Sequence, residues 1–326
     1  MIYVTGGAGF IGSAVIWELN KNGITDIVVV DHLGESDKWK NLTPLKVEDY
    51  IDKFRFLEML KNEKFYKTGN DAIVHMGACS TTTEKDASYL FENNFNYTKQ
   101  IMEWQFKNTS WKVIYASSAA TYGNDQNGFI DDINALHSLK PLNKYAYSKH
   151  LVDINNYHNK RFSRLVGLKF FNVFGPNEYH KGDMASFIYN AYHQILRKEY
   201  RIQLFSSTTN QLTLSRDFIY IKDVVKVILF FLENPDIDGL FNVGTGLSHT
   251  WEDIVLELSD LLNITSVVRN IPIPPNIDKQ YQYYTKADLN NLRLAGYDKQ
   301  FMSLSDSMKD YVTNYLQKND KRLTIN

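Results

Sequence analysis

The first dozen residues constrain this chain more than any other stretch. Ile2-Tyr3-Val4 is a short run of the buried-strand type, Thr5-Gly6-Gly7-Ala8-Gly9-Phe10-Ile11-Gly12 follows at once, and a helical pattern then runs to Asn20. A strand feeding a glycine turn that opens a helix aims unpaired backbone N–H groups, at the positive end of the helix dipole, toward one point. That point suits a pyrophosphate. In this reading Gly6 permits the tight turn, Gly9 lets the backbone approach the phosphates, and Gly12 lets the helix pack closely. The spacing is G-x-x-G-x-x-G, not the G-x-G-x-x-G of ordinary dinucleotide-binding dehydrogenases. The expected fold is α/β: a Rossmann-type doubly wound parallel sheet with a smaller, mostly C-terminal α/β substrate domain.

Further strands are expected at 27–30, 72–75, 111–116 and 165–170, with helical stretches between them, and this alternation demands a parallel sheet. The strand at 27–30 closes at Asp31, and an acid there accepts hydrogen bonds from an adenosine ribose, as in NAD sites. His32, Lys38 and Lys53 follow in loops or helix starts that can fold over a 2′-phosphate instead. Spacing leaves NAD and NADP both open, with Asp31 turned aside in the second case. Met76-Gly77-Ala78-Cys79-Ser80 is a small-residue turn at the carboxyl end of a strand, where the middle of a dinucleotide passes. Residues 86–106 read as one long helix carrying Asn93.

Tyr145-Ala146-Tyr147-Ser148-Lys149 carries the chemistry, together with Ser118 at the end of the strand at 111–116. A phenol titrates near 10 and is a poor base at neutral pH. A lysine four residues on along a helix shares its face, and its ammonium would favour the phenolate while reaching a cofactor ribose. Tyr147 lacks that spacing to Lys149, so Tyr145 is the candidate base.

Composition narrows the classes. With 36 basic and 37 acidic residues the net charge is −1, which argues against a nucleic-acid binder or a basic membrane-surface patch. Cys79 is the only cysteine, so neither an intrachain disulfide nor a thiolate metal cluster is available, and no metal site is expected. Met1 to Val4 read directly as strand, with no charged and apolar leader ahead of them, and the apolar run 224–232 is too short to span a bilayer. A soluble, cytoplasmic protein is expected. Two sequence-discontinuous domains follow: 1–170 plus 213–245 for the dinucleotide, 171–212 plus 246–326 for the substrate.

Taken together, the glycine turn, Ser118, Tyr145 with Lys149, the Asn172-Val173-Phe174-Gly175-Pro176 turn and Arg216-Asp217 resemble the extended short-chain dehydrogenase/reductases that act on nucleotide sugars. Gly77-Ala78-Cys79-Ser80, residues 116–123, Pro141-Leu142-Asn143, His180-Lys181-Gly182, Met184-Ala185-Ser186, Thr285-Lys286-Ala287-Asp288-Leu289 and residues 294–299 look like the branch that epimerises ADP-heptoses. The resemblance covers nearly the whole chain. It implies an NADP cofactor, NAD being the less favoured choice, contacted by Gly6, Gly9, Phe10, Ile11, Gly12, Asp31, His32, Lys38, Lys53, Met76, Gly77, Ala78, Cys79, Ser80, Asn93, Lys149, Val173 and Lys181. It implies an ADP-sugar substrate held by Ser118, Asn172, Arg216 and Tyr281, and also by Asp183, Asn190 and Phe205-Ser206-Ser207-Thr208. The last three places depart from the family pattern, which has serine, histidine and Phe-Glu-Gly-Ser there.

The implied reaction inverts a hydroxyl-bearing carbon, C6″, through a transient ketone, supplying heptose for the lipopolysaccharide inner core. Tyr145 and Lys181 serve as acid/base groups on its two faces, Ser118 bonds the reacting oxygen, and Lys149 activates Tyr145. The resemblance also suggests a homo-oligomer, a pentamer. A 4-epimerase on the same scaffold and a non-catalytic NADP sensor are the alternatives. A dehydratase is disfavoured, because Ala119 and Ala120 stand where its carboxylic acids would be.

Overall fold

The computed structural model describes residues 1–65, 69, 71–108, 111–124, 128–197, 201–206, 214–274 and 282–325, without the side chain of Ser206. The early strands are β1 (Ile2–Thr5), β2 (Ile27–Asp31), β3 (Asp49–Asp52), β4 (Ala72–His75), β5 (Lys112–Ser118) and β6 (Val166–Phe170). After them come β7 (Asn172–Phe174), β8 (Arg201–Ser206), β9 (Ser215–Arg216), β10 (Phe218–Tyr220), β11 (Gly239–Val243), β12 (His249–Thr250) and β13 (Val267–Pro272). One seven-stranded sheet runs β11-β6-β5-β4-β1-β2-β3 with every neighbouring pair parallel. The chain starts in the middle, winds outward to β3, then returns to wind the other way from β4. The order therefore reverses between β1 and β4, and a crevice opens at their carboxyl ends.

The strands at the centre are buried on both faces, which is why Ile27-Val28-Val29-Val30 reads as an unbroken apolar run. Alternate side chains point to opposite faces. Val4, Val29, Val74, Ile114 and Leu168 enter one core with the helices α1 (Phe10–Lys21) and, later in the chain, 221–233. Tyr3, Val28, Val30, Ile73, Val113 and Tyr115 enter a second core on the other face. That face is covered by α2 (Lys53–Asn62), α4 (Tyr97–Lys107) and α5 (Lys144–His158); the short α3 (Ala87–Leu90) precedes α4. β3 is the strand the sequence pattern hid. Of Asp49-Tyr50-Ile51-Asp52 only Ile51 is buried, as befits a polar edge.

The helix expected over 86–106 is not regular. Between α3 and α4 the chain widens into a π-helical stretch, Phe91–Asn96, and such insertions turn side chains that a regular helix would aim elsewhere. Asn94 is the residue turned inward, and it is fully buried.

The rest of the chain supplies α6 (Phe187–Arg197), α7 (Ile221–Glu233), α8 (Trp251–Leu262), α9 (Asn290–Leu294) and α10 (Leu304–Asn314). Three two-stranded sheets accompany them: β7 with β10, parallel; β9 with β12, antiparallel; and β8 with β13, parallel. The C-terminal tail lies back on the start of the chain. Trp17 Nε1 donates to Thr324 O at 3.0 Å, Arg322 Nε to Asn41 Oδ1 at 3.0 Å, and Leu323 N to Asn177 Oδ1 at 3.0 Å. Among the described residues no helix is long and apolar enough to cross a membrane, and no group of three or more metal-ligating side chains could hold an ion.

Candidate active site

Two glycines of the opening turn are fixed by space. Gly6 has φ +65, and a Cβ on it would stand 2.7 Å from the backbone of Gly77 on β4's exit. A Cβ on Gly12 would strike the carbonyl of Gly6. Gly9 is the N-cap of α1 and brings no side chain to cap it. The first N–H groups of the helix therefore have no side-chain acceptor at the cap among the described residues, which fits a pyrophosphate. Phe10 and Ile11 open the helix beside them.

At the far end of β2 the carboxylate of Asp31 is already fully engaged. It accepts Ala8 N at 2.9 Å, His32 N at 2.7 Å and Lys38 Nζ at 2.7 Å, and Asp31 is buried. Lys53 Nζ donates to Asn93 Oδ1 at 2.6 Å, which brings those two expected contacts together. His32 sits over Asp52 (Nδ1 to Oδ2, 3.1 Å). The Met76–Ser80 turn follows β4 and is held at Cys79, whose N and O both bond the Asn94 side chain.

A buried relay that the sequence did not announce ties the two halves together. Thr5 Oγ1 meets His75 Nδ1 at 2.5 Å, and His75 Nε2 meets Thr98 Oγ1 at 2.8 Å. The Thr98 hydroxyl spends its proton on Asn94 O at 2.6 Å. His75 must then donate through Nε2 and accept through Nδ1, as a neutral imidazole. Burial, helped by the Lys149 charge, pushes its pKa down to about 3, in keeping with that tautomer. Asn94 continues the chain: Nδ2 donates to Cys79 O and to Ser148 Oγ (3.0 Å each), and Oδ1 accepts Cys79 N at 2.7 Å. Ser148 Oγ donates to Tyr145 O at 2.7 Å. Asn94, not Asn93, pins the Met76–Ser80 turn to α5.

Ser118 and Tyr145 meet through their hydroxyls and Lys149 follows Tyr145 by one turn of α5, but the electrostatics differ from the expectation. Burial drives the Tyr145 phenol above its ordinary value, the Ser118 hydroxyl pulls it partly back, and Lys149 has no part in the shift. Lys149 is itself buried, donates to Ala116 O at 2.7 Å, and is pushed down to about 8 by burial. The expectation that its ammonium favours the phenolate is thus not met in this state. The amine donates to the Ala116 carbonyl instead, and burial favours the neutral phenol.

Behind them stands a buried ion pair. Lys169 Nζ lies 2.9 Å from Asp153 Oδ2, both side chains wholly excluded from solvent. Asp153 also accepts Tyr115 OH at 2.7 Å and Ser117 Oγ at 2.8 Å. It follows Lys149 by one turn on the same face of α5, and its charge raises the Lys149 amine.

Lys181 lies on a 3-10 turn, Tyr179–Met184, and its amine stands 5.6 Å above the ring of Phe10. Burial lowers its pKa and the carboxylate of Glu178 raises it. No hydrogen bond or ion pair among the described residues joins it to Tyr145, Ser118 or Lys149.

On the proposed substrate side, Asn172 and Val173 lie on β7, paired with Phe218 and Ile219 of β10. Arg216 is buried, donates to Ser215 O at 3.0 Å and stacks 5.8 Å from the Trp251 ring. It is no surface pair with Asp217, whose carboxylate is also buried and accepts Thr245 N, Gly246 N and Ala287 N at 2.7, 2.9 and 3.0 Å. Asp183 is exposed, and Asn190 turns back to Asp183 O and Ala185 O as a local brace. Phe205 and the backbone of Ser206 belong to β8. Ser207, Thr208 and Tyr281 lie outside the described residues.

This arrangement of a parallel sheet, a glycine turn and a Tyr/Lys helix has relatives. The model of the NAD dependent epimerase/dehydratase family matches residues 2–244. The chain belongs to that family. Two relatives of this epimerase/dehydratase are similar along their full length. The ADP-L-glycero-D-manno-heptose-6-epimerase of Nitratidesulfovibrio vulgaris is 46% identical over 326 residues, covering 99% of this chain and all of that one. The enzyme of the same name from Fusobacterium nucleatum is 44% identical, covering 99% of this chain and all of its own. The crystal structure of the Helicobacter pylori enzyme of that name superposes with a TM-score of 0.81 at 27% identity, covering 96% of this chain and 95% of that one.

Proposed function

We propose that this epimerase/dehydratase is an ADP-glycero-manno-heptose 6-epimerase, inverting C6″ of ADP-D-glycero-D-manno-heptose. The observation that carries the proposal is the set Ser118, Tyr145 and Lys149, with Lys149 buried and the other two half-buried, in a chain that is alike, end to end, to relatives bearing that name. Ala119 and Ala120, where elimination would need acids, favour an epimerase over a dehydratase.

A nicotinamide dinucleotide, when bound, supplies the acceptor and donor of the hydride at C6″. The chain's own residues handle the proton. Loss of hydride from carbon and of a proton from its hydroxyl leaves a ketone; return of the hydride to the opposite face of that carbon and of a proton to its oxygen completes inversion. Two groups are needed, one to take the proton and one to give it. Burial pushes the Tyr145 phenol up, favouring its protonated form, and lowers the Lys181 amine, which the Glu178 carboxylate raises again. Ser118 orients the reacting oxygen, and Lys149 holds the nicotinamide ribose. Arg216 suits the substrate pyrophosphate.

The cofactor in this proposal is NADP. Asp31 spends both oxygens on the protein, as an acid turned aside from a ribose would, and Lys38 and Lys53 stand close enough for the charge of one to lower the other. The family description speaks of NAD, and that is the second reading. The proposal also assigns residues 1–170 with 213–245 to the cofactor and the remainder to the substrate, a cytoplasmic location, and a homo-oligomer, which sedimentation would check.

The test is direct. Purified protein should carry a dinucleotide identifiable by mass and convert ADP-D-glycero-D-manno-heptose at C6″, followed by NMR. Lys181→Met should keep the dinucleotide and lose inversion. Tightly bound dinucleotide with no turnover of any ADP-sugar would instead favour a sensor.

A further inference from the structure

The carboxylate of Glu178 is wholly buried, and the mechanism above leaves it unused. Its Oε1 accepts Gly175 N at 3.1 Å, the Ser186 hydroxyl at 2.8 Å and the Tyr311 hydroxyl at 3.0 Å, while Oε2 accepts Ser186 N at 2.5 Å. Burial raises the Glu178 carboxyl above its ordinary value, while the Lys181 charge and the donors from Ser186 and Gly175 pull it back toward the anion, the form that four donors suit. These donors come from separate places: Gly175 just past β7, Ser186 at the entry to α6, and Tyr311 from α10. Between the first two runs the turn Tyr179–Met184 that carries Lys181, itself kinked at Gly182 (φ 53). Lys181 N donates to Glu178 O at 3.0 Å. One side chain therefore closes the turn at both ends. Lys181 needs that, because its amine makes no hydrogen bond among the described residues and only overlies Phe10.

We propose that Glu178 is the positioning residue for Lys181: it staples the turn in place and supplies the buried countercharge of the amine. This rests on Lys181 being the second acid/base group. A group that must take and give a proton in each turnover works best with both forms within reach of the working pH. Burial alone favours the amine, and Glu178 restores the ammonium. The other polar groups around the pair are of two kinds. Tyr311 of α10, Tyr189 of α6 and Tyr179 of the turn itself are held protonated, with Asp320 behind them. His180 is kept neutral and faces Lys38 and Asp31. None of these replaces a carboxylate.

The experiment is the pH dependence of kcat for ADP-heptose inversion in Glu178→Gln, beside Lys181→Met and Tyr311→Phe. Glu178→Gln should move the limb that reports Lys181 to lower pH by about a unit or more and cut kcat about tenfold or more. KM and the amount of bound dinucleotide should stay near wild type. Tyr311→Phe, which removes one donor and leaves the charge, should lower kcat by only a few-fold, roughly, with the limb in place. A folded Glu178→Gln with the wild-type limb and kcat overturns the proposal. If that variant does not fold, Ser186→Ala and Tyr311→Phe still decide it: kcat must fall at constant KM, and wild-type kcat in both overturns it. Lys181→Met separates the two ideas. If it inverts normally, the role of Lys181 fails and this inference with it. If it is dead while Glu178→Gln is normal, only Glu178 is misassigned.

Discussion

Asp153→Asn should make this protein easier to unfold and slower at once. Asparagine keeps the volume of Asp153 but not its charge, and Lys169, wholly buried 2.9 Å away, has only the Thr121 hydroxyl (2.6 Å) as another hydrogen-bond partner among the described residues. Breaking a buried pair by removing one partner costs about 3–5 kcal/mol, because the other charge is stranded. At about 2 °C per kcal/mol for a chain this large, the melting temperature should drop by about 6–10 °C. Lys149 loses the carboxylate that raises it, so its pKa should fall below about 8 and less of it should carry charge at neutral pH. Thermal unfolding of Asp153→Asn, Lys169→Met and the double variant forms the assay. The double variant strands no charge and should recover about 2–3 kcal/mol relative to the sum of the single losses. Wild-type melting in Asp153→Asn, or strict additivity in the cycle, would refute the assignment of this pair as a buried, mutually compensating unit.

Gly12→Ala should purify without bound dinucleotide, since its methyl group meets the Gly6 carbonyl and the turn must open; retention of the cofactor at wild-type stoichiometry would count against the phosphate turn. Lys38→Ala should weaken NADP by about 10–100-fold, the worth of a charge-assisted hydrogen bond, and leave NAD nearly unchanged, measured by fluorescence titration; equal losses for both would remove the support for NADP. His75 is held neutral in the fold down to about pH 3, while in the unfolded chain it takes a proton near 6.5. The unfolded state therefore binds the extra proton between those values, and stability should fall as pH drops from 6.5, by about 1.4 kcal/mol per unit. His75→Gln should flatten that acid slope by one proton in urea titrations at successive pH values, and an unchanged slope would mean that His75 does not titrate as described.

The seven-stranded sheet was largely legible because its centre is buried on both faces and so must be written in unbroken valines and isoleucines, as at 27–30. The edge strand Asp49–Asp52 was not, since an edge needs only Ile51 inside and the rest can be polar. The glycine turn was legible because only glycine fits at 6 and 12. Tyr145 and Lys149 were found by spacing, but spacing could not say that burial would outweigh their mutual charge. Asn94 went unseen because a regular helix over 86–106 gives no reason to prefer it to Asn93; the π-helical widening that turns it inward has no pattern of its own. Arg216 and Asp217 were read as neighbours in sequence. In the fold Asp217 serves the loops at Thr245 and Ala287, contacts across 28 and 70 residues that no local pattern encodes.

The relay from Thr5 through His75, Thr98, Asn94 and Ser148 to the backbone of Tyr145 sets a limit for anyone redesigning this protein. Each member has its donors and acceptors assigned by the next, so a swap at the nucleotide end disturbs the bonding along the row up to the helix that bears the phenol. Changing cofactor preference should therefore begin at Lys38 and Lys53, whose partners Asp31 and Asn93 stand outside that row.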